Sequence, residues 1–208
     1  MVGLEFKDFL KRERTVLVVW DVQKGLVQRI FNREEFMANL STVIEGVRKV
    51  GIPVIFTRIT PLPQKYESRA RLAFSGGRGG FSPSDLELAV EVKEGDYVLN
   101  KNFASLFVGT PVEEMLRNAG IETVLLTGIS TDVGIIASAW DALNRGFFPI
   151  VLSDAVSSPD KKAHNEALDV MSKHMAVSTS REVLTALEAV RNAYTSITAL
   201  YREKWRSR

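Results

Sequence analysis

The chain has 208 residues, 45% of them hydrophobic, with 27 Lys plus Arg against 25 Asp plus Glu and no cysteine. That length buries one sizeable core, so a single domain over residues 1–208 is expected. Near balance of charge gives no basic surface for nucleic acid, and the lack of thiols excludes disulfides and thiolate metal sites. No run of 18 uninterrupted apolar residues occurs, and the first ten residues mix charges into apolar positions. A soluble, cytoplasmic protein without membrane contact is expected.

Along the chain, Thr15-Val-Leu-Val-Val-Trp20 is the first run with the length and β-branched content of a buried parallel strand, and Pro53-Val-Ile-Phe-Thr57 is the second. Between them, Glu35 to Val50 places Phe36, Leu40, Val43, Ile44 and Val47 on one helical stripe and stops at Gly51. Thr60 to Ser84 shows no sustained period and holds Pro61, Pro63, Pro83 and Ser75-Gly-Gly-Arg-Gly-Gly80. It reads as a long loop over the strand ends, of the kind that serves as a functional lid or a mobile connection. Thr110-Pro111 opens a helix from Val112 to Ala119, ended by Gly120. Thr123 to Thr127 is a third strand, Thr131 to Asn144 a helix, Pro149 to Ser153 a fourth strand, and Lys161 to Lys173 a further amphipathic helix. After a short strand at Ala176-Val-Ser178, Arg181 to about Arg206 reads as a long C-terminal helix whose apolar positions exceed what one sheet edge needs. That excess points either to a subunit contact, as in a homo-oligomer, dimer or tetramer, or to packing of the helix against its own domain. Strands alternating with helices give a doubly wound α/β fold with a mainly parallel sheet.

In such sheets ligands bind beyond the carboxyl ends of the strands. The residues to weigh there are Asp21, Arg58, Lys101 and Gly128 to Gly134. Asp21 ends an apolar run, where burial requires an answering cation, and Lys101 is such a cation. Spacing leaves open whether the two form a structural ion pair or a reactive one. Arg58, Arg71 and Arg78 carry charges suited to a substrate carboxylate.

Taken in order, Asp21 with Gln23, Lys101 with Phe103, Ser105 and Phe107, Thr127-Gly-Ile-Ser-Thr-Asp-Val-Gly134, Ala139-Trp-Asp-Ala142, Gly146, Ser153-Asp-Ala155 and His164 resemble the isochorismatase-like, nicotinamidase-related cysteine hydrolase superfamily. The resemblance runs from about Thr15 to Leu184. It implies a three-layer α/β/α fold and an Asp-Lys-Cys triad whose first two members are Asp21 and Lys101 and whose third falls at Gly134. In the family's amidases the cysteine attacks a carboxamide carbon, the aspartate takes its proton, and backbone N–H groups near a cis peptide hold the oxyanion. Here that cis bond would join Ile129 to Ser130. Gly134 offers no nucleophile, so thioester chemistry is excluded at this position. Ser130 and Thr131 have hydroxyls, but Thr131 reads as the cap of the helix it begins. The substrate-binding set implied is Gln23, Arg58, Phe103, Phe107, Ile129, Ser130 and Thr131.

The family's nicotinamidases bind a metal through an aspartate and two histidines, whereas His164 and His174 are the only histidines here and both lie late in the chain. No metal and no cofactor are expected. Glycine at the nucleophile position resembles the true isochorismatases, which cleave a vinyl ether. By that resemblance Asp21 is the general acid, Lys101 binds a substrate carboxylate, and Gly134 leaves room for the substrate. Those enzymes carry an aromatic residue and a histidine where this chain has Ser130 and Asp132, and Thr131-Asp132 is the amidase wording. Two readings follow: a hydrolase of a small anionic metabolite, or a catalytically silent small-molecule-binding or scaffold homologue of the amidases.

Overall fold

In the computed structural model, which describes residues 5–74 and 82–189, six strands build one sheet: β1 (Thr15–Trp20), β2 (Val54–Ile59), β3 (Tyr97–Lys101), β4 (Thr123–Ile129), β5 (Phe148–Ser157) and β6 (Ala176–Ser178). All neighbours pair in parallel, in the order β3-β2-β1-β4-β5-β6. The chain works outward from β1 in one direction and then, from β4, in the other. The crevice at that reversal lies between the carboxyl ends of β1 and β4.

The helices are α1 (Lys24–Val27), α2 (Arg33–Lys49), α3 (Arg69–Phe74), α4 (Val112–Asn118), α5 (Ile136–Asn144) and α6 (Lys161–Ser172), followed by α7 over residues 180–189. Successive strand residues face opposite sides of the sheet, and the core divides accordingly. Leu17, Val19, Phe56, Leu125 and Ile150 pack with α2 and with Val183 and Leu187 of α7. Val16, Val18, Trp20, Ile55, Leu126 and Val151 pack with Leu116 of α4, Ala139 of α5 and Met171 of α6. The result is the expected three-layer, doubly wound fold.

Four local expectations need correction. No apolar run marks β3, because Tyr97-Val-Leu-Asn-Lys101 is an edge strand that buries only Leu99 and Lys101. The 60–84 stretch is not loop throughout: a 3-10 turn at Gln64–Tyr66 and α3 lie within it, and residues 75–81 fall outside the described residues. The helix expected from Thr131 begins as a π turn, Thr131–Ile135, before α5. β5 runs on to Ser157, past a register shift against β4 between Leu126 and Gly128. The C-terminal helix expected to about Arg206 is described only to residue 189. Among the described residues no helix is long and apolar enough to cross a membrane.

Candidate active site at the β1–β4 crevice

Strand alternation alone would send Asp21 after Val19, toward α2. Instead β1 has ended, and Asp21 takes the left-handed backbone conformation, φ 47°, which aspartate tolerates better than most residues. Its carboxylate thereby meets side chains from the opposite face. Thr57 of β2 donates its hydroxyl to Asp21 Oδ1 at 2.5 Å and accepts the Asp21 backbone N–H at 3.0 Å. Lys101, at the end of β3, donates to Asp21 Oδ2 at 2.6 Å, and both side chains are 0% exposed. Lys101 also donates to the Phe103 carbonyl at 3.2 Å. A buried pair of this kind holds only because hydrogen bonds satisfy its remaining oxygens and protons.

The fourth wall is Trp20. Its ring centroid lies 3.4 Å from Lys101 Nζ, and its benzo edge fills the volume that a side chain at Gly134 would need. A Cβ added at Gly134 would fall far inside van der Waals contact with Trp20 Cη2, Cζ2 and Cζ3. The glycine therefore does not leave a vacant space for substrate, as the resemblance implied; it accommodates the indole. Trp20 Nε1 is buried and, among the described residues, without a hydrogen-bond partner.

Beyond β4 the Ile129–Ser130 peptide is cis, where the resemblance placed it. The Ser130 carbonyl accepts the N–H groups of Val133, Gly134 and Ile135 at 3.3, 3.0 and 3.1 Å. Thr131 does not cap this turn with its hydroxyl. Its Oγ1 is 2.8 Å from His164 Nδ1, while its backbone N–H donates to Ser158 Oγ at 3.0 Å. Ser158 in turn donates to Asp132 Oδ1 at 2.5 Å. Burial pushes His164 below its ordinary pKa of 6.5, and the Asp132 carboxylate opposes that shift. His164 is 6% exposed, with the Phe31 ring edge-on at 5.2 Å. It is a satisfied core histidine linking α6 to the start of the π turn.

The other expected site residues divide. Phe103 is 40% exposed beside Lys101, and Ser130 is half-buried at the crevice. Gln23 is buried and used as a brace: its amide donates to the carbonyls of Ile59 and Leu86 at 3.2 and 2.7 Å and accepts the Ile59 N–H at 3.0 Å. Arg58 shares the parity of Phe56, so it leaves β2 on the face away from Thr57, and its guanidinium donates to Asn100 Oδ1 at 2.9 and 3.1 Å. Phe107 is buried, stacked on Phe147 with centroids 5.8 Å apart, and Ile129 is fully buried in the α2-side core. Arg71 falls in α3, and Arg78 lies outside the described residues. Three residues that form the site were not singled out: Trp20, Thr57 and Ser158. Trp20 reads as the last apolar residue of a core strand, and the charge of Arg58 draws attention from Thr57 beside it. Ser158 lies past the point where β5 was expected to end.

Known proteins of the same build bear on this crevice. The isochorismatase domain model matches residues 15–183. The "Probable isochorismatase" of Pseudomonas chlororaphis is 30% identical over 178 residues, spanning 83% of this chain and 86% of that protein. The isochorismatase family protein YwoC of Bacillus subtilis is 29% identical over 164 residues, spanning 75% of this chain and 84% of its own. Among solved structures, an isochorismatase family protein from Burkholderia thailandensis superposes with a TM-score of 0.77 at 27% identity, covering 85% of this chain and 96% of that one. Because the match runs from β1 to α7 in sequence and extends to the fold as a whole, the chain belongs to the isochorismatase-like hydrolase family.

Proposed function

We propose that the protein hydrolyses a small anionic metabolite with water, not an enzyme thiol, as nucleophile. Asp21 serves as acid/base and Lys101 holds a substrate carboxylate, as vinyl-ether hydrolysis of isochorismate would require. The carrying observation is the fully buried Asp21–Lys101 pair, kept at the β1–β4 crevice of a chain with no cysteine. The names borne by its relatives support the reading.

In that chemistry the Asp21 carboxyl gives its proton to the methylene carbon of the enol ether, leaving an oxocarbenium ion. Water adds to the cationic carbon and returns a proton to Asp21, and the hemiketal collapses to pyruvate and a ring alcohol. The Lys101 ammonium favours the carboxylate form of Asp21, while burial and an incoming anion favour the acid. No cofactor is needed for these steps. The working form proposed is a cytoplasmic homo-oligomer.

Isochorismate is the direct substrate to offer. Pyruvate release by the native protein is expected, with Asp21→Asn slower by about 10²–10⁴-fold, the usual weight of a general acid. No release by the native protein, or equal release by Asp21→Asn, rules the vinyl-ether reaction out. One observation favours the second reading, a silent ligand-binding or scaffold homologue: Trp20, 3% exposed, lies over the Lys101 ammonium. Ligand binding without turnover would be its signature.

A further inference from the structure

Away from the crevice, α2 and α7 border a groove of about 580 Å³. Ala38, Thr42, Glu45 and Lys49 follow one another along its α2 side at helical spacing, and Leu184 and the buried Leu187 of α7 line the other side. We propose that this groove is the docking site for residues 190–208 of a second copy of the chain, laid antiparallel to α2 and exchanged reciprocally across a two-fold axis. The inference deepens the homo-oligomer proposed above and rests on it.

Three observations select that occupant. The first is shape. Val190, Tyr194, Ile197 and Tyr201 repeat the spacing of Ala38, Thr42, Glu45 and Lys49, namely four, three and four residues. On a helix those large side chains share one face, and a face of that kind packs into the hollows left by small residues such as Ala38 and Thr42. The second is charge. α2 carries Glu34 and Glu35 in its first turn and Arg48 and Lys49 in its last, while the chain ends in Arg202, Lys204, Arg206 and Arg208. The antiparallel direction brings that basic end to Glu34 and Glu35 and keeps it from Arg48 and Lys49. The third is direction of the chain. α2 joins parallel β1 to β2, and α7 follows β6, so both helices run back from the carboxyl ends of the strands. They touch where Leu184 lies against Gly46; α2 ends at Lys49, and α7 has drawn level with that end by residue 189. From Thr179 to Arg208 there is no glycine or proline to turn the chain back. A helical continuation of α7 therefore leads off the edge of its own domain, and two-fold symmetry supplies the reversed direction from a mate.

Because the chain has no cysteine, single introduced thiols report position without background. Ala38→Cys marks the acidic end of the groove and Arg202→Cys the basic end of the tail, and neither removes one of the large residues. Full-length proteins carrying one change each, one of them labelled with nitrogen-15, are mixed, equilibrated and treated with a short bismaleimide. A covalent heterodimer is expected by mass spectrometry, and it should be lost when Lys49→Cys, about 16 Å further along α2, replaces Ala38→Cys. Ala38→Arg places a long charged side chain where Tyr201 of the partner subunit would sit, on an exposed helix position that accepts arginine. It should raise the dissociation constant of the native oligomer at least about tenfold in sedimentation. Equal yield from Lys49→Cys overturns the antiparallel direction. No heterodimer from the mixture, with a cross-link inside single chains that carry both Ala38→Cys and Arg202→Cys, overturns the exchange in favour of a tail folded onto its own groove. An oligomer that gives neither cross-link and that Ala38→Arg leaves intact overturns this groove while the homo-oligomer stands, and a monomeric native chain overturns both.

Discussion

At position 134 a Cβ would collide with the indole of Trp20, so these two residues, one ending β1 and the other in the π turn after β4, are sterically coupled. Gly134→Cys is expected to lower stability by about 1–3 kcal/mol through overpacking. Trp20→Val leaves a cavity of its own, and the double variant should be more stable than the sum of the singles predicts, by about 0.5–3 kcal/mol. Urea denaturation of the four proteins checks this, and strict additivity would show that the ring moves aside without cost. The same coupling explains what could be read from the residues alone. Asp21 and Lys101 were legible, as charged ends of buried segments. The role of Trp20 was not, because a tryptophan closing an apolar run looks like core until the β1–β4 register sets Trp20 opposite Gly128.

Between elements, a buried hydrogen bond between Thr131 Oγ1 and His164 Nδ1 joins α6 to the π turn. Neutral imidazole fits there, since burial holds His164 below its ordinary pKa of 6.5. The unfolded chain therefore binds more protons than the folded one between 6.5 and the lower folded value, and stability falls as pH drops through that window. Thermal melts from pH 7.5 to 5 should show this loss, and His164→Gln should flatten it; an equal slope in the variant would place the titration elsewhere. β1 and β4 were legible as buried apolar runs and α2 as a stripe. β3 was not, since an edge strand buries alternate residues and carries Asn100 and Lys101. The π turn was not legible either, because it depends on one carbonyl, that of Ser130, receiving three N–H groups.

For the molecule as a whole, the order β3-β2-β1-β4-β5-β6 puts Asp21, Thr57, Lys101 and the residues after β4 at one crevice from four strands scattered through the sequence. Alternating strands and helices were enough to expect such a crevice; its closure by an aromatic ring depends on packing that no pattern encodes. Oligomer formation is proposed to involve the segment after residue 189, which follows Val183 and Leu187 on the α2 side of the sheet. A chain ending at residue 189 is expected to run as a monomer in light scattering, with the full chain a dimer or tetramer, and an unchanged mass would place the contact elsewhere.

Gly128 carries a further consequence. Its φ is 118°, and a Cβ there would overlap the backbone N, C and O of Trp20. The two chains touch main chain to main chain, which leaves Trp20 no latitude except its own side-chain torsions. The indole that lies over Lys101 and fills the space beside Gly134 is thereby anchored to a stretch of main chain that only a glycine opposite allows to come so close.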